Sequence, residues 1–176
     1  MPNWCSNTIT IQGPTETIKQ LWDDAHVGDD FGLLNAMVPM PKELEGTTAP
    51  SDGMNWYGWR TSNWGTKWDV DDTGLEYVDN GDGTSHITGW FDSAWAPPVT
   101  AYDTFLDDMD NCSIEATYHE PGMDFVGEYI DGDDNFYDGV TELVEGGAMA
   151  DDETLARLVE DYAIEEDMEM WAEENA

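Results

Sequence analysis

The chain reads as an α+β fold: a ferredoxin-like split βαβ sandwich, with helices on one face of an antiparallel sheet, followed by an acidic C-terminal helical extension. Three observations predict it. Segments alternating with period two and segments with helical spacing follow one another in the order β-α-β-β-α-β, with one extra strand. The run Asp79-Asn80-Gly81-Asp82-Gly83 is a strong hairpin signal between the two middle strands. Beyond residue 130 the acid density rises, which sets a domain (1–130) apart from an extension (131–176).

Asn7-Thr8-Ile9-Thr10-Ile11-Gln12 alternates polar and apolar, the pattern of a half-buried strand. Gly13-Pro14 breaks it, and Thr15 is placed to cap a helix with Ile18, Leu21 and Trp22 at helical spacing. A long irregular stretch follows, containing Pro39-Met40-Pro41 and a Trp- and Gly-rich run from Trp56 to Trp68. Residues 75–78 and 86–91 read as paired strands. Pro97-Pro98 starts a second helix, with Tyr102, Phe105, Leu106 and Met109 on one face. Residues 112–118 and 124–130 read as two more strands, joined through Glu120-Pro121-Gly122.

Asp151 opens a further helix reaching about Glu174. Leu155, Leu158, Val159 and Tyr162 form one apolar stripe, whereas Ile164, Met168 and Trp171 fall on the opposite side. Either the helix breaks near Ala163 or it has two apolar faces. A second face would suit a homodimer partner or a target.

The length suits one domain plus an appendage. Apolar residues make up 40% of the chain and nine residues are Trp, which argues against a disordered acidic chain. No run of about 18 apolar residues is present, so no membrane-spanning helix is expected. The first residues carry neither a positive region nor an apolar run, so no signal peptide is expected and the reading is cytoplasmic. There is no CxxC, zinc ligand set or iron–sulfur run, so no cofactor is expected. Cys5 and Cys112 read as reduced structural thiols. The split βαβ topology puts them at opposite ends of the sheet, too far apart to bridge.

Forty residues are Asp or Glu and five are Lys or Arg, a formal net charge of −35. Residues 1–130 hold 23 acidic and 4 basic residues, and residues 131–176 hold 17 acidic and 1 basic. Such a field repels nucleic acid, membranes and most acidic proteins. It favours encounter with the basic groove that a DNA- or RNA-binding protein keeps for phosphates.

The segments Met1-Pro2-Asn3-Trp4-Cys5-Ser6-Asn7, Pro39-Met40-Pro41, Asn63-Trp64-Gly65-Thr66-Lys67-Trp68-Asp69, Ser93-Ala94-Trp95-Ala96-Pro97-Pro98 and Tyr118-His119-Glu120 together resemble a known family. It is the YubB-type ferredoxin-like domain family of phages, plasmids and prophages. The resemblance spans about residues 1–130. It implies a mobile-element origin and the same ferredoxin-like fold, and it implies no catalytic residues, since the family has none established. The acidic extension lies outside it.

Four constellations are candidates for function. The first is the extension as a phosphate mimic. Asp151, Asp152, Glu153, Glu160, Asp161, Glu165, Glu166, Asp167, Glu169, Glu173 and Glu174 lie within one expected helix. As a single helix, residues 151–174 would span about 36 Å. That is about one carboxylate per 3.3 Å, close to the one charge per about 3.4 Å of a DNA strand. Ile164, Met168 and Trp171 would be apolar anchors beside them. The competing explanation is solvation, as in salt-adapted proteins whose carboxylates repel unless screened.

The second constellation is Asp131, Asp133, Asn135 and Glu142, at positions 1, 3, 5 and 12 of a calcium-loop pattern. Position 6 is Phe136 rather than Gly, and a strand precedes the loop, so the match is weak. The third is His119 beside Glu120, a candidate acid–base pair without a nucleophile at diagnostic spacing. The fourth is the aromatic run from Trp56 to Trp68 with Arg60 and Lys67, which could stack single-stranded nucleic acid. The competing reading is that these aromatics pack the sheet and hold the long loop, with both cations paired to carboxylates.

These readings converge on a phage-encoded acidic DNA mimic that is not an enzyme. It would act in the host cytoplasm by occupying the nucleic-acid groove of a host DNA- or RNA-binding protein, such as a defence nuclease, CRISPR effector, polymerase or nucleoid protein. Direct nucleic-acid or membrane binding is not expected. The alternative is a salt-adapted structural or accessory domain whose charge serves solubility.

Overall fold

The computed structural model describes residues 2–48 and 54–175. Met1, the first residue of the first matching segment, lies outside them. In chain order the elements are β1 (Trp4–Pro14), α1 (Thr15–Ala25), a short hairpin of β2 (His26–Val27) and β3 (Asp30–Phe31), α2 (Leu33–Met37) and α3 (Trp56–Asn63). Then come β4 (Leu75–Asp79), β5 (Thr84–Ala94), α4 (Val99–Asp108), β6 (Ser113–Glu120), β7 (Phe125–Ile130) and β8 (Asp133–Asp138). The chain ends with α5 (Val140–Glu145), α6 (Glu153–Asp161) and α7 (Ile164–Glu174).

The fold is α+β, built on one six-stranded sheet in the order β4-β5-β1-β6-β7-β8 with every pairing antiparallel. β1, β4, β5 and β6 are the four strands of the split βαβ pattern, with β1 central between β5 and β6. Alternation along β1 divides the two faces. Cys5, Asn7, Ile9 and Ile11 are buried on one side, while Ser6, Thr8 and Gln12 are exposed on the other. The buried face packs with Ile87, Phe91, Ile114, Ala116 and Tyr129 against Ile18 and Leu21 of α1, Leu33, Leu34 and Met37 of α2, and Ala101, Tyr102 and Phe105 of α4.

Thr15 is not the cap of α1. It is the first helical residue after Pro14, and its hydroxyl accepts a hydrogen bond from Ser85 at 2.9 Å. Proline at the preceding position offers no side-chain acceptor, so α1 begins without a side-chain cap. The long stretch after α1 holds two helices that its irregular pattern concealed. α2 is fastened by Asp69, whose carboxylate accepts from the backbone N–H groups of Leu34 and Asn35 at 2.8 and 2.9 Å. Fully buried Trp64 donates its indole N–H to the Val38 carbonyl at 2.9 Å, which holds the far end of that stretch.

Past residue 130 the chain stays in the sheet. β8 pairs residue for residue with β7, from Phe125 opposite Asp138 to Ile130 opposite Asp133, so residue 130 falls within a hairpin. α5, α6 and α7 then fold onto the second face of the sheet. Val126 is the sheet's contribution to a second core that includes Val140, Leu155, Leu158, Val159 and Ile164. Helices thus lie on both faces of the sheet, beyond the one-face arrangement expected of the domain. Tyr162 ties this layer down, its hydroxyl 3.0 Å from the Thr117 hydroxyl. The helix expected over 151–174 is broken. Ala163 is left-handed at φ 51°, which turns the chain so that Ile164 enters the same core as Leu158.

Cys5 and Cys112 are free. Cys5 lies opposite Ser93 near the start of β1, and Cys112 abuts Gly13 near its other end. Burial pushes the Cys5 thiol up to about 12, so it stays protonated and inert. Among the described residues no helix is long and apolar enough to cross a membrane.

Candidate acidic interface

Five cations face forty acids, so where the cations go decides which carboxylates are free. Lys19 pairs with Asp23 at 2.5 Å. Arg157, the one basic residue of the extension, bridges Glu128 on β7 and Asp161 on its own helix, and thereby docks α6 to the sheet. Among the described residues, Arg60 and Lys67 form no ion pair with a carboxylate, contrary to expectation. Arg60 lies 5.2 Å from the Trp56 ring and 4.8 Å from that of Trp64, and Lys67 lies 4.4 Å from the Trp68 ring. Flat aromatic faces hold these two cations by cation–π attraction. The aromatic run itself sits on α3 and the loop after it, not on an open sheet face.

The carboxylates of residues 151–174 fall into three groups. Asp152 caps α6 by accepting from Leu155 N at 3.0 Å and also accepts from the Tyr137 hydroxyl, so it is structural. Asp161 is held by Arg157. The remaining residues, Asp151, Glu153, Glu160, Glu165, Glu166, Asp167, Glu169, Glu173 and Glu174, are exposed. The 36 Å rod does not form, because the break at Ala163 leaves helices of 9 and 11 residues. The high charge density survives on α7 alone, where six carboxylates occupy about 16 Å of axis.

Glu165, Glu166 and Asp167 in the first turn suit the helix dipole, but the rest of the arrangement does not serve the helix. Glu165, Glu169 and Glu173 repeat every four residues and repel one another along one side. Glu173 and Glu174 stand in the last turn, where the helix dipole disfavours anions, and no basic residue offsets them. Each such placement costs a few tenths of a kcal/mol up to about 1 kcal/mol.

The three apolar anchors have different fates. Ile164 is 3% exposed within the second core, and the little surface it keeps lines a cavity beside Met168 and Trp171 rather than the outside of the helix. Met168 is partly buried against that core, and Trp171 stands 68% exposed. Met168 and Trp171 form one wall of a cavity of about 670 Å³. Val140 and Thr141 of α5 form another, Pro121 and Asp124 of the β6–β7 turn a third, and His119 is at its base. Asp124, Glu145, Asp167 and Glu169 also line it, and among the described residues no Lys or Arg does. Sequence spacing singled out Met168 and Trp171 but gave no sign of the cavity, because its other walls come from α5 and the turn.

The other candidates do not assemble. Asp131 is left-handed in the β7–β8 turn, and its carboxylate accepts from Ile114 N at 2.7 Å. Asp133 and Asn135 lie along β8, and Glu142 lies on α5. A hairpin replaces the loop that would wrap a calcium ion, and no cluster of three or more metal-type ligands exists among the described residues. His119 and Glu120 are consecutive on β6, so they point to opposite faces and form no acid–base pair. Glu120 is 1% exposed and accepts from the N–H groups of Gly122 and Met123 at 2.8 and 2.6 Å, organising the turn.

His119 faces the extension, its ring 5.4 Å from that of Tyr162. Burial lowers its pKa below the ordinary value, against the opposing pull of Asp167, Glu120 and Asp124. The folded chain therefore binds fewer protons here than the unfolded chain. Its stability is lost as pH falls through the unfolded histidine value of about 6.5 toward the lower folded value. Replacement His119→Gln is expected to reduce the loss of stability between about pH 7.5 and about pH 5.5. Paired denaturation curves at the two pH values check this, and an equal or larger loss in the variant would refute it.

No protein-family model matches the chain, and no curated protein matches its sequence. Among solved structures the chain is similar to the crystal structure of protein api92 from Yersinia pseudotuberculosis, of the family DUF1281, with 18% identity and a TM-score of 0.41. The match covers 59% of this chain and 39% of that one, so the chain spans about two fifths of the neighbour's length.

Proposed function

We propose that the chain is a phage-encoded acidic inhibitor that mimics DNA and occupies the nucleic-acid groove of a host DNA- or RNA-binding protein in the host cytoplasm. It performs no chemistry and binds no nucleic acid itself. The observation that carries this reading is α7. Six exposed carboxylates crowd it, those beyond the first turn at a cost in helix stability, on a chain with net charge −35. Carboxylates placed there can take the Arg and Lys positions that otherwise hold phosphates. The likeness of residues 1–130 to a mobile-element family supports the same origin.

A second reading has its own observation. Acid also covers the opposite side of the molecule, with Glu16, Asp23 and Asp24 on α1 and Asp107 and Asp108 on α4. Charge on every side is what solubility alone would require.

Affinity capture from host lysate at low and high salt separates the two. The mimic is expected to retain one DNA-binding protein at low salt, lose it at high salt and release it to added duplex DNA. Replacing Glu165, Glu166, Glu173 and Glu174 together by Gln is expected to weaken capture by about tenfold or more. Capture of no specific protein, or capture indifferent to salt, would overturn mimicry and leave solubility.

A further inference from the structure

The cavity between α5, α7 and the β6–β7 turn adds something that a carboxylate surface does not need. A phosphate mimic works with exposed charge alone. Here Trp171 and Met168 stand beside a hollow of about 670 Å³, large enough to receive one or two side chains. Met is adaptable in shape, and exposed Trp is the residue type most enriched among binding hot spots. Around this apolar wall stand Asp124, Asp167 and Glu169, and among the described residues no Lys or Arg lines the cavity.

Charge decides the occupant. A second copy of this chain would bring −35 against −35, and an acidic or neutral segment would leave the rim uncompensated. We propose that the groove receives an apolar side chain from a basic segment of the partner protein, one with Lys or Arg within a helical turn of that side chain. The apolar group lies against Met168 and Trp171, and the cations face the rim carboxylates. This rests on the proposed reading that the partner is a basic protein, and it says which part of that partner is gripped. The acidic surface sets the rate of encounter, and the groove slows dissociation.

The test uses the full chain and three synthetic helical peptides of about 16 residues: an amphipathic Lys/Leu peptide, a Lys/Ser peptide of equal charge, and a Glu/Leu peptide. Calorimetric titration is expected to show the Lys/Leu peptide binding at least about tenfold more tightly than the Lys/Ser peptide, and the Glu/Leu peptide not binding. Combining Trp171→Ser with Met168→Ser is expected to erase that difference while leaving Lys/Ser affinity unchanged. Trp90→Ser, at another exposed Trp, is expected to preserve it.

Equal affinities for the two Lys peptides, or a preference that survives the double variant, would overturn the proposal. Should the double variant not fold, hydrogen exchange of the native chain with the Lys/Leu peptide decides instead. Added protection over residues 140–145 and 164–172 supports the groove, and protection confined elsewhere refutes it. The peptides are independent of any host target. Failure of the groove therefore leaves salt-sensitive, DNA-displaced capture standing, and failure of that capture leaves the peptide result standing.

Discussion

Replacement Trp64→Ala is expected to cost about 3–5 kcal/mol of folding stability, the range for deleting a fully buried large aromatic side chain. Trp64 is 0% exposed and does three things at once. Its ring packs edge-on to Trp59, with centroids 5.9 Å apart. Its indole N–H satisfies the Val38 carbonyl. Its face carries the Arg60 guanidinium, which burial already makes harder to keep charged. Alanine removes the volume, orphans the carbonyl and strips the cation of one aromatic wall. Trp64→Phe keeps most of the volume and loses the hydrogen bond, so it is expected to cost less, about 1–3 kcal/mol. Denaturant unfolding of both variants checks the order. An alanine cost below about 1 kcal/mol would show that the segment between β3 and β4 is held by something else.

Replacement Leu158→Asp is expected to detach the C-terminal helices while the first core stays folded. Leu158 is 0% exposed at the centre of the second core, between α6 and the Val126 side of β7. An unpaired carboxylate there costs more than that core can absorb, about 3 kcal/mol or more. The first core does not depend on this layer, because its helices pack on the opposite face of the sheet. Hydrogen exchange is expected to show protection lost over residues 153–174 and kept in β1, α1 and α4. Global unfolding would show instead that the two cores form one cooperative unit. Unchanged exchange would show that Leu158 does not hold the layer.

The four strands of the split βαβ core and their two helices were legible because each is patterned on its own. Ile9 and Ile11 alternate, Ile18 and Leu21 repeat at helical spacing, and Asp79-Asn80-Gly81-Asp82-Gly83 marks one turn. β8 was not legible. Asp133-Asp134-Asn135-Phe136-Tyr137-Asp138 is poor in strand formers, and it is extended because β7 supplies the pairing. α2 was hidden for a related reason, since the carboxylate that fastens it, Asp69, lies more than thirty residues away.

The candidate interface divides in the same way. Counting residues identified the net charge and the acidic extension, and the phase jump between two apolar stripes left two alternatives, a break near Ala163 or a helix with two apolar faces. Only the tertiary structure decided which way Ala163 turns the chain. That turn buries Ile164, leaves Trp171 outside, occupies Asp152 and Asp161 in capping and ion pairing, and builds a cavity from α5, α7 and a distant turn. The physical reason is that charge and periodicity belong to the chain, whereas burial depends on which segments meet. The extension's leucines could meet the sheet only on the face that α1 and α4 had left open.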